Sequence, residues 1–269
     1  MVVTPRDAAT VMLLRDSPPG GEGIEVLMVR RHAKSRFVPD AYVYPGGRIE
    51  ETDYSPEVEE HCLGLDCGEA HRRISDIDPP AKALGAWVAG IRETFEEVGL
   101  LLAMGGPGEV LRIGPAQEAR MESHRRNLHA DRVSLGEILR EEGLKLAAGE
   151  LHYFAHWITP VTSPIRYDVR FFVARAPAGQ TARHDGVELT EHRWVRPETA
   201  LAEYDQGRFP VILPTWTTLR DLSEFRTVGE ALECARGKTV PAILSRVVLR
   251  GGRPVEVMPD DVEEGDEPL

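Results

Sequence analysis

The sequence predicts a protein in which helices pack on a β-sheet, of the α/β or α+β class, and three observations lead to this prediction. Apolar stretches at 8–14 and 24–31 flank a turn rich in proline and glycine at 18–21, as in a β-hairpin. A long helical pattern at 80–98 starts with a proline and is followed by Gly99. Further strand and helix patterns follow it along the chain. Periodicity by itself does not separate the two fold classes.

The remaining elements follow from apolar spacing and from residues that begin or end helices. Ser134, with Glu137 three residues later, has the pattern of a capping box, and Gly143 ends the same helix. Prolines and a Gly-Gly pair mark other boundaries. We expect strands at 41–44, 151–160, 169–174 and 192–195, a hairpin within 240–257, and helices at 68–74, 115–128, 134–142, 197–205, 213–224 and 229–235.

Composition limits the classes of partner. The 269 residues carry 44 acidic and 32 basic side chains, a formal net charge of -12 at pH 7. Nucleic acids bind to basic surfaces, so we expect no nucleic-acid partner. No apolar run reaches the roughly 18 residues of a membrane-spanning helix, so we expect no membrane partner. Three cysteines and an N-terminus without signal-peptide features indicate a cytoplasmic protein. The oligomeric state stays open, with a homodimer among the alternatives.

Three glutamates share one face of the helix predicted at 80–98. Glu93, Glu96 and Glu97 are three and four residues apart, and like charges at this spacing repel one another. Carboxylate oxygens are the hard ligands that Mg²⁺ or Mn²⁺ prefers. The alternative is an acidic helix face exposed to water. We expect Glu97 to be an exposed acid of this cluster.

Two neighbouring features favour a functional site over a solvated helix face. Arg92 directly precedes the cluster and can hold a carboxylate through a charge-assisted hydrogen bond. Gly46 and Gly47 follow a short predicted strand and form a turn that a ligand can approach closely. The sequence therefore predicts a metal site where this turn meets the helix.

These residues resemble the signature of the Nudix hydrolase family. Its second half reads Arg-Glu-x-x-Glu-Glu-x-Gly followed by an apolar residue, which the run from Arg92 to Leu100 matches. Gly47 matches the glycine that opens the signature. The family normally continues straight into the helix, whereas here residues 51–80 intervene, and Asp53 stands where the first glutamate is usual. A split signature of this kind looks like the branch that contains coenzyme A diphosphatases.

The resemblance implies a Nudix α/β/α sandwich with a mixed central sheet. It implies one domain over residues 1–258, with 51–80 inserted into the signature. This inserted segment has no long apolar face, so we expect a surface excursion at the rim of the site. Residues 259–269 are strongly acidic and are expected to form a disordered, solvated tail.

The resemblance also implies roles for individual residues. Glu93, Glu96 and Glu97 would bind the metal, and Arg92 would orient a ligand carboxylate. The proton of the attacking water would pass to Glu97, or to one of two later glutamates that precede a predicted strand. Asp53, Glu50 or Glu51 would replace the displaced glutamate of the signature. The catalytic candidates are therefore Arg92, Glu93, Glu97 and Glu191, with Glu188 as the further choice of base.

Four residues are candidates for binding the substrate. Gly46 and Gly47 would shape the loop against the helix. Arg31 belongs to a basic cluster after the second strand, where guanidinium groups can pair with phosphate, although a solvated turn explains the cluster equally well. Arg166 is the better loop candidate, because Arg170 is expected to pair with Asp168 on one strand face.

The implied reaction is metal-dependent hydrolysis of a nucleoside diphosphate linked to another moiety. Coenzyme A or acyl-coenzyme A is the substrate that the branch suggests, and Trp157 with Phe172 could line a groove for its pantetheine arm. The alternatives are ADP-ribose, NADH or a dinucleoside polyphosphate. A protein of another class, which binds a nucleotide on this scaffold without cleaving it, is the rival interpretation.

Overall fold

The computed structural model describes residues 2–18, 21–106 and 109–269. Its strands are β1 (Arg6–Asp16), β2 (Ile24–Arg31), β3 (Tyr42–Val43), β4 (Gly46–Arg48), β5 (Ala103–Gly106), β6 (Glu109–Val110), β7 (Lys145–Leu146), β8 (His152–Ile158), β9 (Tyr167–Arg175), β10 (Leu189–Val195), β11 (Ala242–Leu244), β12 (Arg246–Arg250), β13 (Arg253–Val257) and β14 (Glu267–Pro268). Its α-helices are α1 (Pro56–Glu59), α2 (Cys67–Arg73), α3 (Pro80–Val98), α4 (Pro115–His129), α5 (Leu135–Glu142), α6 (Pro197–Asp205), α7 (Leu213–Leu222) and α8 (Val228–Gly237).

The central sheet is mixed, as predicted. Its strands run in the order β10-β2-β1-β9-β8-β11, with β3 beside β2 and β4 beside β1. Strands β1 and β2 form the predicted antiparallel pair. Part of the turn between them, at residues 19 and 20, lies outside the described residues. Strand β1 also pairs in parallel with β9, from Arg6 opposite Tyr167 to Leu14 opposite Arg175.

Apolar side chains cover both faces of this sheet. Along β1, Val11 and Leu13 join the buried cluster beneath α3, whereas Met12 and Leu14 join a second cluster beneath α7 and α8. This alternation follows from the two-residue period of a strand. The sheet therefore lies between two helical layers, which is the sandwich that the resemblance implied.

Helix α3 spans the predicted residues and lies directly on β1. A proline occupies its first turn, and Gly99 ends it in the left-handed region at φ 72°. A Cβ on Gly90 would lie 2.8 Å from a methyl carbon of Val11. The glycine thus allows the helix and the strand to approach closely, which sets the position of the signature helix relative to the sheet.

The inserted segment 51–80 is not the surface excursion that the sequence suggested. It folds into a 3₁₀ turn (Glu51–Tyr54) followed by α1 and α2. Its apolar residues are spread over these short elements, so no long apolar face is visible in the sequence. They nevertheless enter the core cluster under α3: Val58, Leu65, Ala70, Ile74 and Ile77.

Two other segments differ from the prediction. Between α3 and β8, strands β5, β6 and β7 accompany the two expected helices and form a small separate sheet. The capping box of Ser134 and Glu137 is present as predicted. Residues 259–269, expected to be disordered, carry β14, which pairs with β12, and Asp266 binds Arg250.

Among the described residues no helix is long and apolar enough to cross a membrane.

Candidate active site

A cavity of about 610 Å³ opens where β1, β2, β4 and α3 meet. Its size is that of a typical small-molecule site. Helix α3, the glycine turn at 46–47, the start of β9 and the α4–α5 region all contribute lining residues. The candidate residues that line it are Arg31, Gly46, Gly47, Arg92, Glu93, Glu96, Glu97 and Glu188.

The glycine turn is packed tightly against the glutamates of α3. The backbone N–H of Gly46 donates to Oε2 of Glu97 at 3.0 Å. A Cβ on Gly47 would lie 2.1 Å from Oε1 of Glu93, so no larger residue fits while that carboxylate keeps its place. Strand β4 holds this turn by pairing with β1. The turn therefore positions two glutamates as well as shaping the cavity.

Arg92 holds the other side of the glutamate cluster. It is 5% exposed, and its Nη1 lies 2.9 Å from Glu93 and 3.2 Å from Glu96. Its Nη2 also donates to the carbonyl oxygen of Arg48 at 2.9 Å. Such charge-assisted bonds restrict the rotation of both carboxylates. This contact supports the orienting role expected of Arg92.

Asp53 is the acid of the inserted segment that binds Arg92. It accepts hydrogen bonds from Nε of Arg92 at 2.7 Å and from Nη2 at 3.0 Å, and it is 2% exposed. The backbone N–H of Glu50 donates to the same carboxylate at 2.8 Å. Of the three acids considered, Asp53 is thus the one that binds Arg92. The insertion contributes to the site through this residue.

The glutamates are less exposed than expected, and this changes their acidity. Glu97 is only 6% exposed, which corrects the expectation that it is an exposed acid. Burial raises the pKa of Glu93 to about 7, against the opposing effect of Arg92. Burial, followed by the charge of Glu93, raises the pKa of Glu97. Burial thus outweighs the opposing effects of Arg92 on Glu93 and of Arg31 on Glu97.

The three glutamates are not drawn into one tight group. Within the described part of the chain, the groups of three possible ligands whose atoms lie within 4.8 Å of one another occur elsewhere, at Asp76, His156 and Asp168 and at His124, Glu141 and Glu142. Basic side chains already bind both groups, Arg170 the first and Arg120 the second. None of these six residues lines the cavity.

The three arginines that the sequence proposed or considered as ligands have different positions and partners. Arg31 lines the cavity. Arg166 does not: it is 6% exposed and donates to the carbonyl oxygens of Thr159 and Val3, so it fastens the loop before β9 to the N-terminal segment. Arg170 binds Asp7, Asp76 and Asp168, in line with the structural role expected of it.

The two later glutamates also differ. Glu188 lines the cavity, and its charge contributes to raising the pKa of Glu97. Glu191 accepts a hydrogen bond from the hydroxyl of Tyr42 at 2.8 Å and lies 3.9 Å from Arg30. Glu191 is not among the described residues that line the cavity. The geometry therefore favours Glu188 over Glu191 as a group near the reacting atoms.

The region between α3 and β8 contributes residues that sequence reasoning did not single out. Arg125 of α4 is 5% exposed and donates to the carbonyl oxygens of Glu96 and Glu97, each at 2.8 Å. It thus satisfies unpaired carbonyls at the end of the signature helix. His129 and Arg132 line the cavity. No local pattern marks these residues, because their partners lie far away in the sequence.

Comparisons with known proteins identify the family of the chain. A family model described as the NUDT19 Nudix domain matches residues 5–222. A Xenopus laevis protein named acyl-coenzyme A diphosphatase NUDT19 is 25% identical over 234 residues, which cover 77% of this chain and 61% of that protein. The protein of the same name from Gallus gallus is 27% identical over 267 residues, with 84% and 70% covered. The chain thus spans less than two thirds of the Xenopus relative.

A solved structure shares both fold and sequence with the chain. The crystal structure of a NUDIX hydrolase from Alicyclobacillus acidocaldarius aligns with a TM-score of 0.65 and 27% identity. The alignment covers 86% of this chain and 96% of that one. The sandwich of helices around a mixed sheet is therefore shared over nearly the whole of that protein.

Proposed function

The chain belongs to the NUDT19 Nudix domain family, whose model matches most of its length, and we propose that it is a metal-dependent hydrolase of coenzyme A or acyl-coenzyme A. The bond cleaved would be in the diphosphate, with water as the nucleophile. Coenzyme A would then yield 3′,5′-ADP and phosphopantetheine. One observation carries this proposal: the signature glutamates line a substrate-sized cavity together with the glycine turn.

The residues around the cavity fit a divalent cation. Glu93, Glu96 and Glu97 line the cavity, Arg92 binds the first two of them, and carboxylate oxygens suit Mg²⁺ or Mn²⁺. Burial raises the pKa of Glu93 to about 7, so this carboxyl group is costly to ionise in the cavity wall without a bound cation. A cation bound by these glutamates would offset the charge of the diphosphate and make a bound water more acidic.

The side chains of this protein would bind the phosphate groups, orient the carboxylates and accept a proton during that reaction. Arg92 keeps the carboxylates of Glu93 and Glu96 in place, and the Gly46 N–H does the same for Glu97. Arg31 can pair with phosphate oxygens. Glu97 or Glu188 would accept the proton of the attacking water, because both line the cavity.

The substrate assignment is supported by the names of the relatives and by apolar residues in the cavity. Trp157 and Phe172, which the sequence suggested for a pantetheine groove, are 2% and 0% exposed and do not belong to the described lining. Other apolar side chains take that place: Phe37, Val43, Val169, Phe171 and Ile212. A partly apolar arm could pack against them.

Product analysis with a panel of diphosphates tests the proposal. The panel holds coenzyme A, acetyl-coenzyme A, ADP-ribose, NADH and a diadenosine polyphosphate, each with Mg²⁺ or Mn²⁺. EDTA serves as the control for metal dependence. We expect coenzyme A or its acetyl ester to be cleaved most efficiently, into 3′,5′-ADP and a phosphopantetheine product. Preferential cleavage of another panel member would refute the substrate but keep the hydrolase. Metal binding without any cleavage would favour the nucleotide-binding interpretation.

The choice of base has its own paired test. Glu188→Gln and Glu191→Gln are compared at saturating substrate. We expect Glu188→Gln to lower kcat more, because Glu188 lines the cavity whereas Glu191 binds Tyr42. If only Glu191→Gln impairs turnover, Glu191 must reach the substrate after a rearrangement, and Glu188 is not the base.

A further inference from the structure

Two arginines on the cavity wall have no acidic partner in the part of the chain that the structure describes. The basic residues of the lining are Arg31, Arg48, Arg92, His129 and Arg132. Arg92 binds three carboxylates, Arg48 lies 3.8 Å from Glu50, and His129 lies 3.9 Å from Glu96. Across the described residues, neither Arg31 nor Arg132 has a carboxylate within 4.0 Å. Both remain available for an anionic ligand.

These two arginines lie on different elements of the cavity wall. Arg31 ends β2 and pairs with Leu189 of β10, directly after Glu188, another lining residue. Its Nε is buried and has no hydrogen-bond partner among the described residues. Arg31 is therefore close to Glu188, a proposed base for cleavage of the diphosphate. Arg132 belongs to the turn between α4 and α5, which follows His129.

The backbone around Arg132 is well fixed. The N–H of Arg132 donates to the carbonyl oxygen of Asn127 at 2.9 Å, and the N–H of Asp131 donates to that of Leu128 at 2.9 Å. Asp131 adopts φ 53°, in the left-handed region, which reverses the chain within one residue. The carboxylate of Glu137, another lining residue, accepts from the N–H and the hydroxyl of Ser134. Glu137 is thus already engaged and does not compete for Arg132.

We infer that Arg132 binds the phosphate on the 3′ carbon of the substrate ribose and so selects coenzyme A over diphosphates that lack this group. The inference rests on the proposed function and adds a determinant of specificity to it. The diphosphate and the 3′-phosphate of coenzyme A are attached to the same ribose, so one cavity has to accommodate both. A planar guanidinium suits a phosphate monoester, to which it can donate two hydrogen bonds.

Ligand binding without turnover tests the inference directly. Titration calorimetry compares adenosine 3′,5′-bisphosphate with AMP, which lacks only the 3′-phosphate. We expect the bisphosphate to bind at least about tenfold more tightly to the native protein, and Arg132→Gln to abolish this difference. Arg132→Lys should restore part of it. Arg126→Gln is the matched control, because Arg126 is exposed on α4 and donates to its own helix at Glu122. Equal binding of both nucleotides by the native protein would overturn the inference.

Steady-state kinetics with coenzyme A and dephospho-coenzyme A gives a second readout. We expect Arg132→Gln to raise KM for coenzyme A about tenfold with little change in kcat, and to leave the parameters for dephospho-coenzyme A unaltered. An equal loss with both substrates would place Arg132 at the diphosphate and refute the inference, although the proposed function would stand. Failure of the native protein to cleave either substrate would instead refute the proposed function, and the calorimetric result would still decide the role of Arg132.

Discussion

Arg92 and Arg170 are two buried arginines in similar surroundings with different consequences. They are 5% and 1% exposed, and each contacts three carboxylates. One of the three carboxylates belongs in each case to the inserted segment, Asp53 for Arg92 and Asp76 for Arg170. Arg92 lines the cavity, whereas Arg170 lies on the opposite face of β9 from the lining residues Val169 and Phe171.

Acidity and access to the cavity distinguish the two clusters. At Arg170, Lys82 adds a second positive charge by binding Asp7 at 2.6 Å, and His156 contacts Asp168. At Arg92, burial raises the pKa of Glu93 to about 7, and Glu93 lines the cavity. A buried ion cluster thus does not by itself indicate a site, whereas acids with raised pKa values that line a cavity do.

The largest expected effect comes from an acid of the Arg92 cluster. Glu97→Gln should lower kcat by about a thousandfold, since it removes a metal ligand or base. The free energy of unfolding should not decrease, because glutamine can still accept from Gly46 and the substitution removes a buried charge. The measurements are kcat with Mg²⁺ and thermal unfolding of both proteins. Full activity of this variant would show that Glu97 is not a ligand.

The next effect concerns stability rather than turnover. Arg170→Gln should lower the free energy of unfolding by about 3 kcal/mol, because Asp7 and Asp168 lose their shared partner. The kcat of the folded fraction should stay unchanged, since Arg170 faces away from the cavity. Urea unfolding and kcat at low temperature test both statements. A strong loss of kcat without a loss of stability would show that Arg170 acts in turnover rather than in folding.

The inserted segment offers a matched pair of substitutions. Asp53→Asn should lower kcat about tenfold and destabilise the protein by about 2 kcal/mol, because Arg92 loses a buried bidentate partner. Asp76→Asn should change stability by less than about 1 kcal/mol and leave kcat unaltered, since its side chain is 51% exposed. Similar kcat values for the two variants would show that Asp53 does not position the site.

The smallest effect is a dependence of stability on pH and metal. The pKa of Glu93 is raised from 4.5 to about 7, so its protonated form favours folding. The contribution of Glu93 to the free energy of unfolding is fully present below pH 4.5 and is lost as the pH rises through 7. Mg²⁺ binds ionised carboxylates, so it should raise the unfolding temperature by about 5 °C above pH 7 and much less near pH 4.5.

Glu93→Gln provides the control for this experiment, because it cannot ionise at that position. The variant should show a flatter pH profile and a smaller response to Mg²⁺, both measured by thermal unfolding with and without EDTA. An identical Mg²⁺ response in Glu93→Gln and the native protein would place the cation elsewhere.

Elements with strong local signals were predicted closely, and contacts between distant segments were not. Helix α3 and the capping box at Ser134 have the expected boundaries, because prolines, glycines and cap residues act within one turn. The glutamates and the glycine turn also line one cavity. Arg166, predicted to bind the substrate, lies outside the described cavity lining, and nothing near it in the sequence reveals its bonds to Thr159 and Val3.

The sequence by itself determined the signature helix, its order of acids and the class of chemistry that these acids can support. Only the tertiary structure decided which other residues bind and position this helix and its acids. Asp53 reaches Arg92 across 39 residues and Arg125 reaches Glu97 across 28. Such pairs form because burial leaves each charged or polar group in need of a partner, wherever in the chain that partner lies. Propensity acts locally along the chain, whereas the pairing of buried charges depends on the whole fold.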